Sequence, residues 1–269
     1  YFKFLKHRKD LSKYSKKIIW FDKINEIKKN INFYIIAKRP KDQVAICKNI
    51  LIYKNLKHLF LEKPIAPNFN ETKKLLNFLK KNNINFSVAY IITLTTFYKK
   101  LLKIIKQKNI SNINIYWSFS SKNKKNSWKL KKNQGGGILN FYGIHFIYLF
   151  NIFWFNKIIN STVKTKKHKE VEWEINIKKD SILLNFRLSI DKNNNEFLIN
   201  FIKNKKKINL IKYQNPFIKK IENFKKGVSE DYRSKYLSIY LKNIKEDNYN
   251  KYVKTNILLN KIQKITIKK

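Results

Sequence analysis

"LEKPIAPNFNETKKLLNFLKKNNINFSVAY", residues 61–90, decides the fold. It opens where the apolar run "KHLFLEK" (57–63) ends and closes on a second apolar run, "INFSVAY" (84–90). Between them, "NETKKLLNFLKKNN" (70–83) spaces its leucines and phenylalanine at helical intervals and is entered through Asn68 or Asn70, residue types that cap helix starts. Upstream, "INFYIIA" (31–37) reads as another buried strand and "KDQVAICKNILIYKN" (41–55) as the helix after it. Strand–helix–strand–helix–strand at this spacing predicts a parallel sheet with right-handed crossovers.

Downstream the rhythm changes. A helix is expected over about 95–107, a strand over "NINIYWSFS" (112–120) and a long helix over about 138–153. Runs at roughly 158–166, 170–178, 181–190, 195–203 and 206–213 follow with only short polar turns between them, which predicts an antiparallel sheet. The tail, about 229–267, reads as helical. The expected fold class is therefore α/β plus α+β. Residues 1–92 would form an incomplete Rossmann-like parallel domain. Residues 93–269 would form a mainly antiparallel domain for substrate and self-association, with its C-terminal helix placed to pack back on the first.

Composition narrows the function classes. The 269 residues are 43% hydrophobic, with 20 Phe, 15 Tyr and 5 Trp, enough for a substantial core. The formal charge of +43 suggests nucleic acid at first sight. Only Arg8, Arg39, Arg187 and Arg233 are arginines, however, and the lysines are spread along the chain instead of gathered in one block. Base and phosphate readers favour the guanidinium fork. The balance argues against nucleic acid as a specific partner. Cys47 is the single cysteine, so disulfides within the chain and cysteine zinc sites are excluded and no metal is expected. Ile138 to Phe155 carries no formal charge over eighteen residues but contains Asn140, Gly143, His145 and Asn151. A buried core helix accounts for it better than a membrane span. The location expected is the cytoplasm.

Four of the five glycines fall within nine positions of "NQGGGILNFYGIHF" (133–146). Three glycines before a helix open backbone conformations and would let a substrate approach the helix's first N–H groups. Gly143 inside a helix costs about 1 kcal/mol relative to alanine, so it needs a packing or ligand reason. His145 is either a satisfied core histidine or a proton carrier. Glu62 and Lys63 at a strand end are either a solvated pair or a working one, since open parallel sheets bind ligands beyond the strands' carboxyl ends.

Taken together, Glu-Lys-Pro (62–64), Trp-basic (128–129), Gly-Gly-Gly (135–137) and Gly-x-His (143–145), in that order and at those separations, resemble the Gfo/Idh/MocA family, the glucose–fructose oxidoreductase and inositol dehydrogenase relatives. The resemblance is close over about 31–155 and looser through "EDYRSKY" (230–236). It implies a nicotinamide cofactor, NAD or NADP, and a sugar or sugar-nucleotide substrate on the face of the second sheet. It assigns Lys63 and His145 as catalytic. Ala37, Lys38, Pro40, Glu62, Lys63 and Pro64 would line the cofactor. Tyr90, Trp128, Lys129, Tyr142 and His145 would meet substrate.

The departures are equally specific. Phe141 and Tyr148 stand where many members carry Asp, Gln43 where a His is common, and Ile91 where an Asn is common. No Asp or Glu occurs from Thr72 to Lys169, and no glycine precedes Gly135. With no methionine in the chain, Tyr1 is read as not a natural start; with no glycine before Gly135, the family's first strand and Gly-x-Gly-x-x-Gly loop are expected upstream of it, "YFKFLKHR" ending the helix that follows the loop. A non-catalytic relative, serving as a sugar binder or partner subunit, is the alternative.

Overall fold

The computed structural model describes residues 26, 31–50, 56–120, 127–217, 232–242 and 249–269. The reading of "YFKFLKHR" and the end of the helix expected over 41–55 lie outside them, as do Glu230 and Asp231.

The first domain is a parallel sheet of β1 (Phe33–Ile36), β2 (His58–Leu61) and β3 (Phe86–Val88), in that spatial order. The register sets Ile35 beside Phe60 and Phe60 beside Ser87, so all three strands end together. The crossovers are α1 (Pro40–Ile50) and α2 (Phe69–Lys81). Proline at the first helical position of α1 loses nothing, because that N–H has no partner inside a helix. Asn68 caps α2, its Oδ1 accepting from Glu71 N at 3.0 Å while its Nδ2 donates to Glu71 Oε1. The cap sits one residue before the apolar face begins, and Leu75, Leu76 and Leu79 are fully buried below it.

After α3 (Thr96–Ile105) the chain builds a second sheet from β4 (Ile110–Ser120), β5 (Lys157–Lys166), β6 (Lys169–Lys179), β7 (Ile182–Ser189), β8 (Asp191–Lys203), β9 (Lys206–Tyr213) and β10 (Ile267–Lys268). Their order is β10-β5-β6-β7-β4-β8-β9. Most neighbours run antiparallel, and β5–β6, β6–β7 and β8–β9 are joined by short turns. The β4–β7 and β10–β5 pairs are parallel, so the sheet is mixed. One face is apolar throughout, with Ile115, Trp173, Ile175, Phe186, Phe197 and Ile199 nearly inaccessible.

The stretch expected as one helix over 138–153 is two. Ile138–Gly143 is π-helical and α4 (Ile144–Ile152) is α-helical. Nearly every residue of α4 is buried, which accounts for its uncharged composition. Among the described residues no helix is long and apolar enough to cross a membrane. The tail is helical over α5 (Tyr232–Lys242) and α6 (Tyr249–Ile265), and β10 pairs with β5. In α6, Tyr252 Oη accepts from Val88 N at 3.1 Å, Asn256 Nδ2 donates to Phe69 O and Tyr249 Oη donates to Asn77 Oδ1. These bonds tie the last helix to the first sheet and to α2, closing one continuous core over both domains.

Candidate active site

Three strand ends form the floor of the site. Ala37 and Lys38 are exposed where β1 stops, Glu62 and Lys63 are half-buried where β2 stops, and Tyr90 is buried just past β3. Pro40 and Pro64 are buried beneath this rim. The peptide between Lys63 and Pro64 is cis. The turn is held from below by Gln43, which is wholly inaccessible. Its Nε2 donates to Glu62 O and Ile65 O, each at 2.9 Å, and its Oε1 accepts from Glu62 N at 3.0 Å. Sequence reading noted Gln43 only as a departure. Its role had no local signal, because its partners lie 19 and 22 residues away.

The glycine run closes the site from the other domain. Gly135 adopts φ +86°, and a Cβ there would stand 2.8 Å from Pro40 Cγ and 3.2 Å from Pro67 Cα, so its bareness lets the run lie against the strand-end rim. Gly136 is pressed onto the Trp128–Lys129 backbone with no room for a Cβ. Gly137 (φ +91°) donates to Lys129 O at 2.9 Å. The first helical N–H is not open to substrate as expected. Ile138 N donates to Glu170 Oε2 at 2.9 Å, and Glu170 is ion-paired with Lys132. A carboxylate at a helix N-terminus satisfies both the orphan N–H and the helix dipole. Glu170 comes from β6, one residue beyond the acid-free stretch, so no local pattern pointed to it. The notch at Gly143 is likewise filled, since a Cβ there would stand 2.6 Å from Trp173 Cζ3. Its reason is packing.

Phe141 is the point where four of the expected site residues meet, while His145 packs elsewhere, against Tyr90 and Phe217. Lys63 Nζ donates to Phe141 O at 2.7 Å and stands 4.3 Å from the Phe141 ring centroid. Lys129 Nζ lies 5.1 Å from the same centroid, and the Trp128 ring meets it edge-on at 5.3 Å. Tyr142 meets it edge-on at 4.8 Å. Lys63, Trp128, Lys129 and Tyr142 thus converge on one ring, four residues before His145. His145 itself is 6% exposed and lies edge-on to Tyr90 at 6.4 Å and to Phe217 at 5.5 Å. Tyr90 stacks flat on Tyr148 at 4.2 Å. Burial raises the pKa of both hydroxyls above the ordinary tyrosine range, so they remain protonated at neutral pH. A cavity of about 270 Å³ is lined by Lys132, Gly136, Gly137, Glu170, Gln263 and Lys268 but not by Lys63 or His145.

Residues 6–90 match the model of an oxidoreductase family with an NAD-binding Rossmann fold, Gfo/Idh/MocA. That match covers residues 6–90 of the 269, and over this segment the chain is similar to that family. The family that this segment matches is NAD-binding. No curated protein matches the sequence. Solved structures match across both domains. A dehydrogenase (MviM) from Clostridium difficile superposes with a TM-score of 0.65 at 16% identity, covering 95% of this chain and 86% of that one. The WlbA dehydrogenase from Bordetella pertussis, in complex with NADH and UDP-GlcNAcA, gives 0.69 at 11% identity over 91% and 80%. KijD10, a 3-ketoreductase from Actinomadura kijaniata in complex with NADP and TDP-benzene, gives 0.63 at 7% over 88% and 79%. At these identities the likeness is one of fold. The strand-end rim described above, with exposed Ala37 and Lys38 and half-buried Lys63, lies at the carboxyl ends of the parallel strands, where open sheets of this kind leave room for a nicotinamide. A Gly-x-Gly-x-x-Gly cradle for its pyrophosphate is not among residues 1–134.

Proposed function

We propose that the protein transfers hydride between NAD(P) and a hydroxyl or ketone of a sugar or sugar nucleotide. The observation that carries this reading is the bond from Lys63 Nζ to Phe141 O, which joins the strand-end rim to the turn leading into His145. Bound nicotinamide supplies the hydride acceptor or donor. Lys63 presents an ammonium that stabilises negative charge growing on the substrate oxygen. His145 takes the hydroxyl proton in oxidation and returns it in reduction. Trp128 offers the apolar face of the sugar ring a stacking surface, and Lys129 and Tyr142 offer polar contacts. The solved relatives with UDP-GlcNAcA and with TDP-benzene make nucleotide-linked sugars the first compounds to test.

The test is calorimetric titration of the full chain with NAD, NADH, NADP and NADPH, followed by turnover on a panel of UDP- and TDP-sugars. Binding of one cofactor pair and turnover of at least one sugar nucleotide is expected. Absence of binding to all four would instead favour a non-catalytic sugar binder, a reading that the aromatic residues at 141 and 148 support.

Self-association belongs to the same proposal. On the outward face of the second sheet, Asn160, Asn176, Asn185, Asn114, Asn200 and Asn209 stand in register across β5, β6, β7, β4, β8 and β9. Asn185 Nδ2 donates to Asn114 Oδ1 at 2.7 Å and Asn114 Nδ2 donates to Asn200 Oδ1 at 2.8 Å. Amides both donate and accept, so such a row is complementary to its own copy, as a two-fold interface requires. Light scattering of the full chain is expected to give a dimer or larger. A monomer would contradict it.

A further inference from the structure

We infer that Phe141 positions the Lys63 ammonium, its ring and its carbonyl together doing the holding that an acidic side chain at that place would otherwise do. The inference rests on the catalytic reading of Lys63 but concerns what fixes that group. A lysine carries its charge on four flexible carbons, and the rotamer entropy of that stem opposes any single placement. Here two contacts from one residue act on it: the carbonyl accepts at 2.7 Å and the ring lies 4.3 Å beneath. Both distances are within the range where a cation is attracted to a carbonyl and to an aromatic face.

The ring is itself fixed. Trp128 and Tyr142 both meet it at 87°, and Lys129 is drawn to it from the same turn as Trp128. Phe141 also sits in the π-helical segment Ile138–Gly143, where the widened turn moves carbonyls out of the α-helical register. That is how a mid-segment carbonyl accepts from a side chain of the other domain. An Asp at 141 would bind the same ammonium as an ion pair and lower its reactivity toward developing charge. The aromatic face holds the ammonium without that neutralisation by residue 141.

The experiment compares amine reactivity in full-length wild type, Phe141→Leu, Phe141→Tyr and Phe141→Asp. Each is trace-labelled with acetic anhydride across a pH series and digested, and the extent at each lysine is read by mass spectrometry. The other lysines serve as internal reference. Leucine keeps the carbonyl and removes the ring, and Lys63 labelling is expected to rise about three- to tenfold. Tyrosine restores the ring, and labelling stays within about twofold of wild type. Aspartate moves the midpoint of the Lys63 labelling profile to higher pH, since a neighbouring carboxylate favours the charged amine. Wild-type labelling of Lys63 in Phe141→Leu would overturn the inference. If leucine unfolds the chain, all lysines rise together, and the remaining pair decides: identical Lys63 profiles in Phe141→Tyr and Phe141→Asp would overturn it. These readouts need no turnover. Wild-type activity in Lys63→Ala would refute the catalytic reading while leaving the labelling result intact.

Discussion

Replacing Gln43 by leucine removes the clamp under the strand-end turn while keeping nearly the same volume in a position that is 0% exposed. Two carbonyls, the partly buried Glu62 O and the buried Ile65 O, lose donors at 2.9 Å. Glu62 N loses an acceptor at 3.0 Å but keeps Ile36 O at 3.3 Å. Each orphaned carbonyl costs about 1–1.5 kcal/mol, so the variant should lose about 2–3 kcal/mol. For a chain of this size that corresponds to a fall in Tm of about 4–12 °C. Thermal and urea unfolding followed by circular dichroism measure it. Gln43→Glu goes further at neutral pH, because a carboxylate would then face two carbonyl oxygens, and part of the loss should return as the pH is lowered and the carboxyl protonates. Turnover should fall on the order of tenfold or more, since Lys63 rides on the released turn. A Gln43→Leu protein within about 0.5 kcal/mol of wild type would refute the reasoning, because the orphaned carbonyls would then have found other donors.

Gly143→Ala should destabilise by about 1–3 kcal/mol, because the new methyl overlaps Trp173, whose indole is locked by its Nε1 bond to Ser161 Oγ; denaturant unfolding measures it, and an unchanged midpoint contradicts the packing role. Burial pushes the Cys47 thiol up to about 12, so maleimide should label it at pH 8 only after denaturation. Burial alone would raise the Glu172 pKa, but hydrogen bonds from Lys164 and Arg187 hold its carboxyl below the usual range. Its contribution is therefore present above about pH 4.5, the ordinary carboxylate range, and lost as pH falls through the depressed folded value. Wild type should lose Tm more steeply below pH 4.5 than Glu172→Gln; parallel curves would contradict it.

The parallel sheet was legible because its signals are local. Each strand is a short apolar run, and Asn68 caps a helix whose leucines are spaced for one face. The residues around the glycine run were legible as a constellation but not in their geometry. Glycines predict freedom, yet Gly136 and Gly143 are bare because Trp128 and Trp173 press on them, and Trp173 lies thirty residues downstream of Gly143. Glu170 capping Ile138 and Gln43 clamping Glu62 and Ile65 are likewise contacts between distant segments. The π-helical turn left no mark in a mostly apolar stretch, where α-helical periodicity cannot be told from a widened turn. Two-residue β10 exists only because β5 offers it an edge.

The central claim is that Lys63 and His145, from different domains, serve one hydride-transfer site. The measurement that tests it most directly is turnover by the full chain with its preferred cofactor and sugar nucleotide, read from the absorbance of reduced nicotinamide, in wild type, Lys63→Ala, His145→Ala and the double variant. The account predicts losses on the order of 10²–10⁴ in each single variant and a double variant little worse than the poorer single one, as groups acting as a unit behave. Single variants that turn over at the wild-type rate would contradict it.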